Sequence, residues 1–251
     1  MYQGNDLVQS LTPKINSLFG YDEAVKNFNE FFVDKPTENK KNKYTGVLED
    51  MNVIFIHMES IHNYLIGMEV NGVEITPTIN KLSKEGMYFS NFYPQISVGT
   101  SSDTEFTLNS SLMPSSSGTV FMSYYKNNYI TIPRLLSDKG YYTFSMHGNV
   151  GDFWNRNIMH KNMGYDNYYS KSSFEIDEEF GLGLSDASFF RQAVPMIKDI
   201  RTNIGEPYYG TLITLTNHTP WSDLDLMDFY LVDKNNNENG EKTQLAYYNN
   251  Y

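Results

Sequence analysis

Asn52-Val53-Ile54-Phe55-Ile56-His57-Met58-Glu59-Ser60 decides the fold. Val53–Ile56 is a short apolar run rich in β-branched residues, the pattern of a strand buried on both faces. It runs into His57-Met-Glu59-Ser60, so a carboxylate stands at the strand's carboxyl end. In an open α/β sheet that edge is where ligands and metal ions bind. Glu59 is therefore the first candidate member of a site, and the others are sought at comparable places.

The totals narrow the classes. At 251 residues the chain is long enough for one large α/β domain or two smaller ones. Tyr and Phe are frequent, at 20 and 16, and no apolar run approaches the length that spans a bilayer. Cysteine is absent, which removes thiol nucleophiles, disulfides and Cys-bound zinc. The net charge of −11 argues against a nucleic-acid surface, which needs a basic stripe. An anionic substrate stays possible where a metal ion and a few local Arg and His residues offset the field. The Lys-rich patch from Lys35 to Lys43 reads as a solvated linker.

Working outward, residues 1–34 carry apolar positions at helical spacing and suggest two short helices broken near Gly20. Residues 1–50 form an N-terminal helical stalk and linker, and the globular portion runs over 51–251. There, Thr78–Glu85 reads as a helix stopped by Gly86, and Met87–Phe92 as a strand. Thr131–Lys139 is a helix with Pro133 in its first turn, and Tyr141–Met146 a buried strand ending at His147-Gly148. Residues 152–169 show no clean period; Ser185–Ile200 has helical spacing, and Tyr208–Leu215 is a strand ending at Thr216-Asn-His218. Strand and helix in alternation predict an α/β fold with a central, mostly parallel sheet sandwiched by helices.

Glu59, His147 and His218 thus stand at three strand ends, with the Thr100-Ser101 loop and Trp154-Asn-Arg156 as further candidates. Each alone has a bland reading: a helix-start carboxylate, a turn histidine, a capping residue, a flexible loop. Their shared placement sets them apart, and His57, His62 and His160 lack it. A carboxylate, a hydroxyl and histidines together suit metal-assisted displacement at phosphorus or sulfur. A divalent ion lowers the hydroxyl pKa so that Ser or Thr attacks, while Arg and His hold the anion.

Four stretches, His57-Met-Glu59-Ser60, Ser101-Ser-Asp-Thr-Glu-Phe106, His147-Gly-Asn…Phe-Trp154-Asn-Arg156 and Leu215-Thr-Asn-His218-Thr-Pro, resemble the lipoteichoic acid synthase family of the sulfatase/alkaline phosphatase superfamily. The resemblance covers about Asn52 to Trp221. It implies an alkaline phosphatase/sulfatase-like sheet with one divalent ion, Mn²⁺ or Mg²⁺, at the strand ends. Glu59 would be a metal ligand, and His147, Trp154, Arg156 and His218 would contact the glycerol phosphate group. A hydroxyl residue would be both nucleophile and metal ligand. It would attack phosphatidylglycerol and carry the glycerophosphoryl group covalently. The family has a Thr before its Ser-Asp pair; here Ser101 occupies that register and Thr100 lies one residue earlier, so both are candidates.

The resemblance also implies a late Asp-His pair completing the metal site, and no such pair occurs before Tyr251. The expectation is a C-terminally incomplete domain that binds the ion poorly and is inactive alone. The stretch before Met51 would connect to a membrane segment outside this chain, placing the domain on the extracytoplasmic face of a bacterial membrane. Its partners would be phosphatidylglycerol or a glycerophosphate polymer. Alternatives are another hydrolase of the superfamily, a phosphoethanolamine transferase, or a non-catalytic domain that binds glycerophosphate polymers. A sulfatase is disfavoured, because no Pro or Arg follows Ser101 at the Cys/Ser-x-Pro-x-Arg spacing.

Overall fold

The computed structural model describes residues 18, 20–33, 40–70 and 72–219. The chain divides into two compact units, Met1–Glu49 and Asp50–Tyr251. In the first, helix α1 (Tyr21–Phe32) follows Gly20, which takes a left-handed φ of 71°. The other helix expected in this unit lies outside the described residues.

The second unit is built on a four-stranded, all-parallel sheet in the order β1 (Val53–His57), β8 (Tyr208–Ile213), β4 (Tyr142–His147), β5 (Asn167–Tyr169). Strand β1 (Val53–His57) leads to a small hairpin, β2 (Glu69–Val70) with β3 (Val73–Glu74). Helix α2 (Pro77–Glu85) starts on Pro77 and ends where the Gly86 N–H meets the Leu82 carbonyl at 2.9 Å, as expected. Then come α3 (Ser101–Ser110), α4 (Val120–Ser123) and α5 (Ile132–Ser137), the last two capped by the hydroxyls of Thr119 and Thr131. Strand β4 (Tyr142–His147) is followed by α6 (Arg156–Asn162) and β5 (Asn167–Tyr169). A second hairpin pairs β6 (Glu179–Phe180) with β7 (Gly183–Leu184), and α7 (Asp186–Asn203) leads into β8 (Tyr208–Ile213).

Strand alternation sends side chains to two cores. Phe144, Met146, Tyr208 and Leu212 meet Phe189, Ala193 and Ile200 of α7 on one face. Tyr209 meets Phe106, Phe121, Met159 and Met163 from α3, α4 and the α6 region on the other. Helices on both faces of a parallel sheet satisfy the expected architecture. Gly210 has a packing reason: a Cβ there would stand 2.4 Å from Cζ of the fully buried Phe144. Gly210→Ala is therefore expected to cost about 1–3 kcal/mol through overpacking, read from the urea midpoint.

Three expectations need correction. β1 is not buried on both faces. It is an edge strand of the described sheet, and Ile54 and Ile56 are 39% and 45% exposed while Val53 and Phe55 pack into the second core. Met87–Phe92 forms no strand, because it finds no partner strand among the described residues, and Phe89 is 70% exposed. Residues 152–169, read as lacking a period, contain α6 and β5. The helix buries Arg156, Met159 and His160, with Met163 completing the i, i+3, i+4, i+7 stripe. Two of those four positions are ionisable, so an apolar template passes over them.

Candidate active site

The strand register brings the expected residues to one edge. His57 of β1 and His147 of β4 both pair with Ile213 of β8, so three strands end at one level. The chain then turns over the sheet edge at Glu59, Asn149 and Leu215, two residues beyond each end. These three join Thr100, Ser101 and His147 in lining a cleft of about 60 Å³. Trp154, Arg156 and His218 complete its polar and aromatic wall, with Phe153 and Leu182 at its apolar side. Every site residue expected from sequence thus borders one cavity.

Glu59 is held by its backbone: its N–H donates to Thr214 Oγ1 at 2.8 Å, and its carbonyl accepts Asn217 Nδ2 at 3.3 Å. Its carboxylate accepts the Ser60 hydroxyl on Oε1 and the Ser101 hydroxyl on Oε2, each at 2.7 Å. Ser101 is the first residue of α3, where the helix N-terminus favours developing negative charge. Thr100 precedes it with φ 43° and ψ −106°, a strained conformation for a β-branched residue. The loop behind is fastened by Asp103 Oδ2, which accepts the N–H groups of Ser97 (2.8 Å) and Gly99 (3.0 Å). Of the two candidate hydroxyls, Ser101 carries the bond to Glu59.

Arg156 is aimed by a buried ion pair. Glu105, one turn after Ser101 on α3, accepts Arg156 Nη2 at 2.7 Å and Nε at 3.0 Å. Its other oxygen meets His160 Nε2 at 2.7 Å, and His160 Nδ1 meets the Ser145 hydroxyl at 2.7 Å. Burial alone raises the Glu105 carboxyl, but the Arg156 guanidinium and the His160 hydrogen bond overcome it and hold the group well below the usual carboxylate range. Arg156 is 2% exposed, and its Nη1 has no hydrogen-bond partner. The two N–H groups on Nη1 are thus left free to donate. His160 is buried between Glu105 and Ser145.

His147 Nδ1 lies 3.0 Å from the Ile213 carbonyl and donates to it, leaving Nε2 as an acceptor. Burial first, then the Arg156 charge, lower its pKa to about 3. His147 is therefore neutral near pH 7 and offers a hydrogen bond rather than charge. His218 Nδ1 is tied to the Thr219 carbonyl at 2.7 Å. Trp154 and Asn155 take φ values of 55° and 57°, consecutive left-handed residues that turn the Trp154 ring toward the cleft wall.

A pH prediction follows from His147. Its folded pKa lies below the unfolded value, so it adds stability above about pH 6.5 that is lost as pH falls toward 3. Asp186, raised by burial to about 6 from 3.8, titrates in the opposite sense between those values. The contrast with a variant therefore isolates the histidine. Between pH 6.5 and 5, His147→Gln is expected to lose about 2 kcal/mol less than the parent chain in urea denaturation. Equal losses would contradict a neutral buried His147.

Four cleft residues escaped the sequence reading: Asn149, Phe153, Leu182 and Leu215. Asn149 and Leu215 could have been found by extending two residues past each strand, the offset that marks Glu59. Leu182 sits in the turn of the β6-β7 hairpin, whose Leu184 N–H bonds the Gly148 carbonyl at 3.0 Å; no local signal ties it to the site.

For a divalent ion, Glu59, Ser101 and Thr100 offer hard oxygen donors, right in kind for Mg²⁺ or Mn²⁺. They are short in number: among the described residues no group of three or more His, Cys, Asp or Glu is placed to hold a metal ion. The described residues thus fit one flank of an ion's coordination shell.

The fold and edge constellation define a class, and the Sulfatase family pattern matches residues 51–251. The chain belongs to that family. Within it, the chain is 33% identical over 245 residues to lipoteichoic acid synthase 1 of Bacillus subtilis, covering 95% of this chain and 37% of that protein. It is 37% identical over 228 residues to the lipoteichoic acid synthase of Staphylococcus saprophyticus, covering 88% of this chain and 34% of that one. The chain therefore spans about a third of these curated relatives' length. Among solved structures, the lipoteichoic acid synthase LtaP of Listeria monocytogenes superposes with a TM-score of 0.77 at 26% identity, covering 90% of this chain and 55% of that one. The phosphoglycerol transferase GacH of Streptococcus pyogenes, solved with sn-glycerol-1-phosphate, shares the fold with a TM-score of 0.56 at 20% identity, covering 92% and 58%. No described helix is long and apolar enough to cross a membrane.

Proposed function

We propose that the cleft is the donor site of a glycerophosphotransferase of the lipoteichoic acid synthase kind, acting on phosphatidylglycerol at the outer face of a bacterial membrane. The observation that carries this reading is the pairing of a carboxylate-bonded hydroxyl, Ser101 on Glu59 at 2.7 Å, with the unused Nη1 of buried Arg156 in one cleft. Ser101 Oγ forms a bond to phosphorus as the phosphorus–oxygen bond to diacylglycerol breaks, the Ser101 proton leaving by way of Glu59 Oε2 and diacylglycerol departing as the protonated alcohol, so that a glycerophosphoryl ester remains on Ser101. The oxygen of an acceptor hydroxyl then bonds phosphorus as the Ser101 ester bond breaks, and its proton returns to Ser101. Arg156 binds the non-bridging oxygens, and its fixed fork orients them for in-line attack. Neutral His147 accepts from a glycerol hydroxyl through Nε2, His218 supplies a polar contact opposite, and Trp154 packs against the carbon skeleton. Glu59 and Ser101, with Thr100 beside them, would hold one Mn²⁺ or Mg²⁺ ion, which when bound lowers the hydroxyl pKa.

The described residues offer the ion one carboxylate and two hydroxyls, and with that set alone no turnover is expected. The test therefore joins residues 51–251 to the remainder of the catalytic domain of the Bacillus subtilis relative and confirms cooperative folding. Diacylglycerol release from phosphatidylglycerol is expected, without cleavage of p-nitrophenyl sulfate or phosphatidylethanolamine. Preference for either of the latter two would move the assignment to a sulfatase or a phosphoethanolamine transferase.

A further inference from the structure

Leu215 and His218 reach the cleft, but the segment that bears them is anchored from behind. Asp186, the first residue of α7, accepts the Leu215 N–H on Oδ1 at 2.7 Å and the Thr216 N–H on Oδ2 at 3.0 Å. Thr216 Oγ1 accepts the Asp186 N–H in return at 2.7 Å. The flanking residues of the same segment, Thr214 and Asn217, hold the backbone of Glu59. Residues 214–217 are thus gripped by Asp186 at their middle and grip Glu59 at their ends. The His218 N–H closes the turn onto the Leu215 carbonyl at 2.9 Å.

Two successive N–H groups on one carboxylate fix both the position and the rotation of a peptide segment, and such charge-assisted bonds are stronger than neutral ones. Asp186 is itself fixed, because Phe189, Ala193 and Ile200 seat α7 in the first core. Its charge also suits the N-terminus of this 18-residue helix. A continuous set of contacts therefore runs from the core through Asp186 to residues 214–217, and from there to Glu59 and His218.

We infer that Asp186 is a positioning residue: through Leu215 and Thr216 it sets the His218 wall and the Glu59 backbone relative to Ser101. The inference rests on the reading of the cleft as a glycerophosphate site, but its first measurement needs no ligand. NMR spectra of the isotope-labelled 251-residue chain are compared for the parent, Asp186→Ala, Asp186→Asn and Thr216→Val. In Asp186→Ala, the Glu59 amide and His218 imidazole signals are expected to move and broaden, and amide exchange at Leu215 and Thr216 to quicken about 10- to 100-fold. Asp186→Asn, with one oxygen acceptor left, should recover part of this. Thr216→Val, which removes only the return bond, should give a smaller change of the same kind. Asp177→Ala, on the same helix through its contacts with Ser188 and Arg191, serves as a control that leaves Glu59 and His218 unmoved.

A folded Asp186→Ala chain with Glu59 and His218 signals at their parent positions overturns the inference, as does an equal movement in Asp177→Ala. Should Asp186→Ala not fold, the same signals in Asp186→Asn and Thr216→Val decide: movement supports it, and parent positions overturn it. Glycerol 1-phosphate is then added to each chain. Moved signals without binding by the parent would keep the positioning role and reject the substrate reading; binding with unmoved signals would do the reverse.

Discussion

Arg156→Met is expected to destabilise the chain by about 3–5 kcal/mol and to abolish glycerol 1-phosphate binding. Both effects arise from one side chain. Removing the guanidinium leaves Glu105, 3% exposed, as a buried carboxylate with only His160 beside it. It also removes Nη1, a buried donor with no hydrogen-bond partner on a residue that lines the cleft. The two effects are separable. Glu105→Leu combined with Arg156→Met replaces the pair by apolar groups and should recover much of the stability without restoring binding. Arg156→Lys keeps a charge but has no planar fork to bond Glu105 and reach the cleft together, so weakened binding is expected. Urea denaturation reads the first quantity and calorimetry with glycerol 1-phosphate the second. Binding that survives in the double variant would take Arg156 out of the site.

Ser101→Ala is expected to lower turnover of the joined catalytic domain by about 10⁴-fold or more, as loss of a nucleophile does. Thr100→Gly, which removes a hydroxyl beside the ion but not the nucleophile, is expected to lower it far less. The distinction rests on geometry: Ser101 Oγ bonds Glu59 Oε2, whereas Thr100 borders the cleft in a strained backbone conformation at φ 43°. Glycine adopts that conformation freely, so Thr100→Gly should add about 1 kcal/mol of stability while keeping Ser101 in place. Diacylglycerol release measures the first effect and urea denaturation the second. Activity that persists in Ser101→Ala and vanishes in Thr100→Gly would reverse the assignment.

Much of this arrangement was legible because parallel strands carry their chemistry at a predictable place. The apolar runs at Val53–Ile56 and Tyr141–Met146 marked strands; His57 and His147 at their ends both pair with Ile213, and Glu59 follows two residues on. What escaped notice escaped for physical reasons. Helix α6 hid because Arg156 and His160 occupy core-facing positions that an apolar template leaves blank. Glu105 lay inside a quoted motif, yet its role depends on a partner 51 residues away. Asp186 stands unremarked at the start of the Ser185–Ile200 helical stretch, and only the return of the chain at Leu215 and Thr216 gives it two amides to hold. The exposed face of β1 went unforeseen because a β-branched run does not disclose whether its strand is central or at an edge.

On the reading proposed above, Ser101, Arg156 and the strand-end residues form one binding site for a glycerophosphate anion. A titration of glycerol 1-phosphate into the isotope-labelled 251-residue chain, followed by NMR, tests it most directly. Saturable shifts are predicted at Ser101, Asn149, the Arg156 side-chain N–H, His147 and His218, and they should vanish in the Glu105→Leu, Arg156→Met double variant. Absence of shifts at those residues, or shifts confined to surface lysines, would contradict the claim.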